Sequence, residues 1–339
     1  MATNTSTNAE SEATTMTDPV PGEPVLPEVE VNLVRPTDPV IGRVVASELC
    51  TLGGRKSAAF IRHVAVDVSG TPLAGRFRAG QSFGVLPPGV DEKGKAHKLR
   101  LYSISSPSRG EDGRGNVLAT SVKRVLDEHW DDHRLFVGVC SNYLGNAQVG
   151  EEIRVTGPSG KRFVLPAEPA KHDYVFFATG TGIAPFRAMA IDLLEGGYDC
   201  RVTLVMGSPY RTDLIYDDHF RELAGKYANF RYITAISRER QDDTDKMLYV
   251  QDRILHDPAG SGPDSLPVQL ASDRTLIYVC GLAGMELGIF RGLYDALGRD
   301  GASGYVRVDD EIAGDPKSWN KRMINRQIRA TRRVFLEVY

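Results

Sequence analysis

A cation, an aromatic ring and a hydroxyl stand together at Arg100-Leu101-Tyr102-Ser103, inside the run from His97 to Ser106. The run alternates as a β-strand does, so Arg100 and Tyr102 face one side and Leu101 and Ser103 the other. Such a strand offers a guanidinium to a phosphate and a flat ring to a flat cofactor. Further on, Gly180-Thr181-Gly182-Ile183-Ala184-Pro185-Phe186-Arg187 follows an apolar run and opens a helical pattern, with Pro185 suited to the first helical turn. Glycines there let backbone N–H groups approach a pyrophosphate at the positive end of a helix. A third glycine is missing at the dinucleotide-fingerprint spacing, so an ordinary strand–helix turn explains the segment equally well.

Two more segments carry reactive or recognition chemistry. Ser237-Arg238 closes an apolar run, and Tyr249 and Gln251 follow shortly after. A Ser hydroxyl beside an Arg fork suits a 2′-phosphate, and a Tyr ring suits an adenine face. A charge-assisted hydrogen bond of about 1.5–3 kcal/mol is enough to favour a phosphorylated nucleotide tenfold. The plainer reading of Ser237-Arg238 is a polar strand end. Cys280-Gly281-Leu282-Ala283-Gly284-Met285 marks another strand-to-helix junction. A lone apolar-flanked Cys is usually a packed small residue, although at a strand's end in a nucleotide fold it can face a reacting ring.

The elements that must position these residues fall into two halves. The chain has 339 residues, 41% hydrophobic and 25% charged, with a formal charge of −3. That length favours two domains, and the charge balance gives no support to nucleic-acid binding. No apolar run approaches the roughly 20 residues of a membrane span. Cys50, Cys140, Cys200 and Cys280 lie far apart with no Cys-x-x-Cys pair, which argues against a resident iron–sulfur cluster or zinc ribbon and fits a reduced cytoplasmic setting.

Residues 1–38 read as a disordered acidic tail, with Glu10, Glu12, Asp18, Glu23, Glu28 and Glu30 all preceding the first basic residue, Arg35. Residues 39–168 read as an antiparallel β-barrel or sandwich, from short alternating runs between Gly/Pro/Asp turns at Ile41–Leu49, Ala58–Val68, Gln81–Leu86, Lys98–Ser105, Asn116–Val125 and Glu152–Thr156. In residues 169–339 strands alternate with helices, which implies a doubly wound parallel sheet. Its strands are expected at 173–180, 201–207, 231–237 and 275–281, and its helices at 185–195, 217–227, 248–256 and 284–297. A helix over Ser318–Arg333 and a terminal strand over Val334–Tyr339 complete the reading.

Taken in order, Arg100-Leu101-Tyr102-Ser103, Gly138-Val139-Cys140-Ser141-Asn142, the Gly180–Arg187 run, Ser237-Arg238, Cys280–Met285 and terminal Val338-Tyr339 resemble the plant-type ferredoxin–NADP⁺ reductases. The resemblance spans Pro39 to Tyr339. It implies an FAD-binding barrel followed by an NADP-binding domain, and hydride exchange between nicotinamide C4 and flavin N5. By position it implies that Arg100 holds the FAD pyrophosphate, Leu101 and Tyr102 lie against the cofactor with Tyr102 stacked on the isoalloxazine, and Ser103 hydrogen-bonds near N5. Gly138, Val139, Cys140 and Ser141 would contact FAD phosphates or the ribityl chain. Thr181 and Gly182 would meet the NADP pyrophosphate, with Lys123 assisting. Ser237, Arg238, Tyr249 and Gln251 would hold the 2′-phospho-adenosine end. Cys280 and Glu337 would line the nicotinamide pocket beside Ser103, Gly281 and Leu282 would be among the cofactor-binding residues, and Tyr339 would cover the flavin face.

One departure from that pattern concerns the FAD adenine. Where the family offers a stacking Tyr, this chain has Leu126-Asp127-Glu128-His129-Trp130-Asp131-Asp132-His133, so either Trp130 or His129 takes over that stacking or the adenine is held more loosely. His129 and His133 have the spacing of a helical zinc pair, but no third ligand accompanies them and no metal is expected.

The resemblance also requires an electron carrier. Lys321, Arg322, Arg326, Arg329, Arg332 and Arg333, with Lys93, Lys95 and Lys98, form local basic excesses suited to an acidic ferredoxin or flavodoxin. On a helix, Arg322, Arg326, Arg329 and Arg333 would share one stripe, although a solvated basic face is the default for any charge run. A monomer is expected. Two other functions remain open: the flavoprotein component of a multicomponent oxygenase, and a non-catalytic FAD/NADPH redox-sensing module.

Overall fold

The computed structural model describes residues 22–51, 56 and 60–339. The first 21 residues of the acidic tail and the opening of the strand expected from Ala58 lie outside them. The barrel half contains β1 (Val40–Leu49), β2 (Ile61–Asp67), β3 (Ser82–Leu86), β4 (Arg100–Ser103) and β5 (Val117–Lys123). A small hairpin, β6 (Leu126–Glu128) and β7 (Leu135–Val137), then helix α1 (Val139–Asn146) and β8 (Glu152–Ser159) follow. Six of these strands form one antiparallel sheet in the order β4-β3-β8-β1-β2-β5. Its two edges meet, because Ser105 N donates to Ala119 O at 2.7 Å and Thr120 Oγ1 to Ser103 O at 2.8 Å. Curling the sheet this way leaves β4 and β5 with few open backbone groups and encloses a core of Val44, Val64, Val66, Phe77, Phe83 and Val155.

The second half begins with β9 (Asp173–Thr179), and helix α2 (Ala184–Glu195) follows a tight turn at Gly180–Ile183. Next come β10 (Val202–Ser208), α3 (Asp217–Lys226), β11 (Phe230–Ile236), α4 (Leu266–Leu270), β12 (Thr275–Gly281) and α5 (Met285–Ala302). The chain ends with β13 (Val306–Val308), α6 (Asp310–Ala313), β14 (Ile328–Ala330) and β15 (Val334–Val338). The parallel sheet runs β11-β10-β9-β12-β15. Alternation along β9 sends Tyr174, Phe176 and Ala178 to one face, against α2 and α3, and Val175 and Phe177 to the other, against α5. The chain winds outward from β9 to β11 and then returns to place β12 on β9's other side. That reversal opens a crevice at the strands' carboxyl ends, between β9 and β12.

The antiparallel-then-parallel architecture matches the sequence reading, and three local expectations change. Residues 318–333 are not a helix: short 3₁₀ turns at Pro316–Ser318 and Lys321–Met323 lead into β14. Trp319 and Ile328 are both buried, and Asn325 takes a left-handed backbone (φ 62°), so the segment follows its two apolar anchors rather than a helical period. Residues 248–256 likewise form only a 3₁₀ turn, Val250–Ile254. The tail is laid down as extended chain from Gly22 onward. Glu23 pairs with Arg332 at 3.2 Å, Glu30 O accepts from Gln81 Nε2 at 2.9 Å, and Val34 and Gly157 exchange two 2.9 Å bonds. Leu26 packs against the second domain's core, so residues 22–38 strap both halves. Among the described residues no helix is long and apolar enough to cross a membrane.

Trp319 anchors the C-terminal segment. It is 2% exposed, stacks edge-on against Tyr294 at 4.8 Å and donates Nε1–H to Ile312 O at 2.9 Å. Trp319→Ala should cost about 3–5 kcal/mol. Urea denaturation checks this, and a loss below about 1 kcal/mol would show that the anchor is dispensable.

Candidate functional site

The crevice between β9 and β12 is built from backbone in close contact. A Cβ on Gly182 would lie 2.2 Å from Cys280 O, so only glycine lets the turn before α2 reach the end of β12. Gly281, at φ 142°, bends the chain away, and Leu282 N is caught by Thr179 Oγ1 at 3.0 Å. The C-terminus closes the same crevice: Tyr339 N donates to Gly281 O at 2.9 Å, and Ala283 N donates to Tyr339 O at 3.0 Å. The hydroxyls of Tyr339 and Thr181 lie 2.7 Å apart, and Tyr339 as a whole residue is 64% exposed. Thr181, Gly182, Cys280, Gly281 and Tyr339 therefore meet at one point.

Glu337 joins them through sheet register, since Cys280 and Glu337 are paired residues of β12 and β15. Burial pushes the Glu337 carboxyl up to about 7, and burial raises the Cys280 thiol well above its usual range, with Glu337's charge adding to it. Cys280 is thus a neutral thiol at neutral pH, and Glu337 is a group that holds or releases a proton there.

The barrel presents its β4–β5 edge to this crevice. Ser121 Oγ on β5 donates to Thr181 O at 3.4 Å, across the domain boundary. Ser103 lies at the end of neighbouring β4, with its carbonyl held by Thr120. Tyr102 packs on Phe83 (6.4 Å, tilted), and its hydroxyl meets the Cys140 thiol, whose pKa burial raises. Cys140 Sγ donates to Val85 O at 3.6 Å, so the first turn of α1 is joined to β3 at the residue paired with Arg100 of β4. Arg100 is exposed and has no carboxylate partner among the described residues.

Gly138 precedes α1, and a Cβ there would lie 2.7 Å from Ser141 Oγ. Ser141 Oγ accepts Val125 N–H at 3.2 Å. A guanidinium free of carboxylate partners beside a helix start is suited to an anion. Exposed apolar side chains flank it: Leu101 55%, Leu126 56%, Leu135 70% and Phe136 43%. A flat ring system with a diphosphate fits both features.

The helical histidine pair does not exist, because 126–137 is a hairpin. His133 turns at φ 55° and its Nδ1 meets Glu128 at 2.7 Å, while His129 stacks edge-on with Phe136 at 5.6 Å. Trp130 stands 94% exposed at the hairpin's tip. The hairpin was not legible in advance, since its strands are three residues each.

At the opposite edge of the parallel sheet, Ser237 N and Arg238 N donate to Ser208 O and Pro209 O, both at 3.0 Å. Arg238 lies 5.8 Å from the Tyr210 ring centroid and has no ion pair among the described residues. Tyr249 is 62% exposed, and Gln251 lies over Gly288 of α5. Three strand spacings separate β11 from β12, about 14 Å, with the Gly180–Ile183 turn in between. Lys123 is exposed at the end of β5. Ser237, Arg238, Tyr249 and Gln251 do not converge on one point with the Gly180–Ile183 turn; they lie towards the β11 side of the sheet's carboxyl edge, and Lys123 belongs to the barrel.

The basic stripe expected on a C-terminal helix is dispersed. Arg329 pairs with Asp309, and Arg332 with Glu23. Arg333 is 3% exposed and donates to the carbonyls of Ser272 and Thr275. Lys321 Nζ donates to Ala283 O at 3.0 Å. Lys93, Lys95, Lys98, Arg322 and Arg326 make no ion pair among the described residues.

A closed antiparallel barrel abutting a parallel sheet with a crevice at its winding reversal defines a two-part nucleotide-binding architecture. Residues 176–289 match the oxidoreductase NAD-binding domain family. A ferredoxin–NADP reductase of Spirulina is 37% identical over 279 residues, covering 80% of this chain and 91% of the relative. One from Thermosynechococcus vestitus is 35% identical, covering 81% and 70%. The leaf isozyme 1 of Arabidopsis thaliana is 33% identical, covering 80% and 74%. The ferredoxin–NADP⁺ reductase of Plasmodium falciparum superposes with TM-score 0.61 over 91% of this chain and 99% of its own, at 21% identity, a likeness of fold. The chain belongs to the ferredoxin–NADP reductase family.

Glu337 supplies a test that needs no substrate. Its folded pKa lies above the ordinary 4.5. Between about pH 4.5 and 7 the folded chain keeps a proton the unfolded chain has lost, so this group removes stability as pH rises across that window. Glu337→Gln should flatten that part of the stability–pH curve, measured by urea unfolding. An unaltered slope would contradict the burial of this carboxyl.

Proposed function

We propose that this protein exchanges electrons between NADP(H) and a one-electron carrier, as an FAD-dependent ferredoxin–NADP⁺ reductase acting in the cytoplasm. The observation that carries the reading is the convergence of Thr181, Cys280, Glu337 and Tyr339 at the β9/β12 crevice, directly against the barrel's β4–β5 edge. FAD, when bound, supplies the junction between two-electron hydride transfer and one-electron steps. Arg100 and the first turn of α1 hold its diphosphate, with Gly138, Val139, Cys140 and Ser141 supplying close backbone approach. Leu101 and Tyr102 lie against its ring system, and Ser103 presents a hydroxyl at its reacting edge.

The nucleotide lies along the sheet's carboxyl edge. Ser237 and Arg238 take the 2′-phosphate, Tyr249 and Gln251 the adenosine, and Thr181, Gly182 and Lys123 the pyrophosphate. A related structure of the Plasmodium reductase with 2′P-AMP supports a phosphorylated nucleotide for this fold. Gly281, Leu282 and the buried Cys280 thiol line the pocket for the nicotinamide. Tyr339, largely exposed and tethered by Thr181, covers the reacting face until the nicotinamide displaces it.

Glu337 manages the proton. In the direction of NADP⁺ reduction a proton must reach the cofactor, and Glu337 carries one below about pH 7. Above that value the ionised form accepts a proton in the reverse direction.

The carrier is an acidic protein, a ferredoxin or alternatively a flavodoxin, steered by Lys93, Lys95 and Lys98 on the approach to β4 and by Arg322 and Arg326. NADPH-driven reduction of an acidic ferredoxin should therefore slow as ionic strength rises, and indifference to salt would sink this docking surface. Arg238→Ala should raise KM for NADPH about tenfold or more and spare NADH. Equal effects on the two cofactors would make Arg238 structural.

A further inference from the structure

Helix α2 does more than begin at the nucleotide turn. Five residues after Gly182, Arg187 leaves the helix towards the barrel. Its Nη1 donates to Ser105 O at 2.9 Å and to Glu111 Oε1 at 2.5 Å, and its Nη2 donates to Glu111 Oε2 at 3.1 Å. The pair is largely buried, with side chains 14% and 23% exposed. Tyr216 lies under the guanidinium at 5.2 Å, and its hydroxyl meets His63 Nδ1 at 2.9 Å. His63 Nε2 in turn lies 3.9 Å from Glu111. Burial and the Arg187 charge hold His63 down near 4, so it stays neutral and leaves the bidentate pair uncontested at neutral pH.

Every bond Arg187 makes here crosses the domain boundary. Ser105, Glu111 and His63 belong to the barrel, while Arg187 and Tyr216 belong to the nucleotide half. Ser105 is two residues beyond Ser103, and its own N–H is already fixed to Ala119. The guanidinium therefore links the chain leaving β4 to the helix whose first turn is the Gly180–Ile183 loop. A second tie on α2 has another character: Asp192 accepts the N–H and hydroxyl of Ser108 at 3.0 and 2.6 Å, from a loop position farther from β4.

We propose that Arg187 is a positioning residue for hydride transfer: through Ser105 and Glu111 it fixes the barrel's Ser103 edge against the nicotinamide end of the crevice. The proposal rests on the reading of that crevice as a hydride-transfer site. The step it serves moves one hydride, with both electrons of the nicotinamide C4–H bond, from NADPH to FAD, which leaves NADP⁺ and reduced FAD. Such a step needs its two atoms within van der Waals contact and aligned, so a small rotation between domains lowers its rate with little effect on either binding site. A planar fork held at three points resists that rotation, and a single flexible contact does not.

The test uses the full chain with FAD bound. Arg187→Met keeps the side chain's length and removes the fork. NADPH is mixed anaerobically in stopped flow, following flavin bleaching and the long-wavelength charge-transfer band, and NADPH Kd and FAD content are measured alongside. The saturating bleaching rate should fall about tenfold or more and the charge-transfer band should weaken, with Kd and FAD content within about twofold of the parent. Chemically reduced enzyme should still pass electrons to ferricyanide at the parent's rate.

An unchanged bleaching rate would overturn the proposal, as would a loss that tracks NADPH affinity or FAD content. If Arg187→Met does not fold, Glu111→Gln, which retains an acceptor, is read on the same signals, with a smaller fall expected and no fall counting against the proposal. Parent enzyme that NADPH fails to bleach would defeat the functional reading itself, a separate result from a parent that bleaches and a variant that matches it.

Discussion

The proposed transfer site depends on one close approach of backbone to backbone, where Gly182 lies against the carbonyl of Cys280 with no room for a Cβ. That contact brings the turn after β9 and the end of β12 together at the reversal of the sheet's winding. With it in place, the C-terminal strand can return Tyr339 to the hydroxyl of Thr181 and set Glu337 beside Cys280. A side chain at Gly182 would push the two loops apart, and the carboxylate, thiol and terminal ring would no longer share one pocket.

Chemistry at this pocket needs a second body, because the sheet supplies only one side of it. The barrel meets it at β4 and β5, where Ser121 reaches Thr181 and Ser103 ends its strand. The buried Arg187–Glu111 pair, the Ser108–Asp192 bonds and the strap of residues 22–38 all cross the same boundary. Contacts of this kind hold an orientation that a modest interdomain surface alone would leave mobile. Burial then sets the proton chemistry: it keeps Cys280 neutral and brings Glu337 to about 7, where a small change of environment moves a proton.

Much of this was legible in the sequence. Alternation and turn residues located the barrel strands within a few positions, and the strand–helix rhythm located the doubly wound sheet. The segments around Gly180, Ser237 and Cys280 fell at the carboxyl ends of β9, β11 and β12, and Arg100–Ser103 fell on β4 of the barrel. What escaped had short-range causes. The β6–β7 hairpin is built from three-residue strands around a charged turn and has no period to detect. Residues 318–333 carry charges at helical spacing, but the burial of Trp319 and Ile328 and the left-handed Asn325 decide their path. The strap pairs polar backbone with the barrel, so its composition resembles disorder. The Arg187–Glu111 pair joins residues 76 positions apart, and no local pattern encodes such a contact.

The central claim is that the two domains bring a nicotinamide and a flavin together for direct hydride transfer. The measurement that tests it most directly is single-turnover reduction of the FAD-loaded protein by NADPH deuterated at the transferred C4 position. The account predicts flavin bleaching at a saturable rate with a primary isotope effect of roughly two or more, because the C–H bond breaks in the observed step. Flavin that stays oxidised on mixing with NADPH would contradict it.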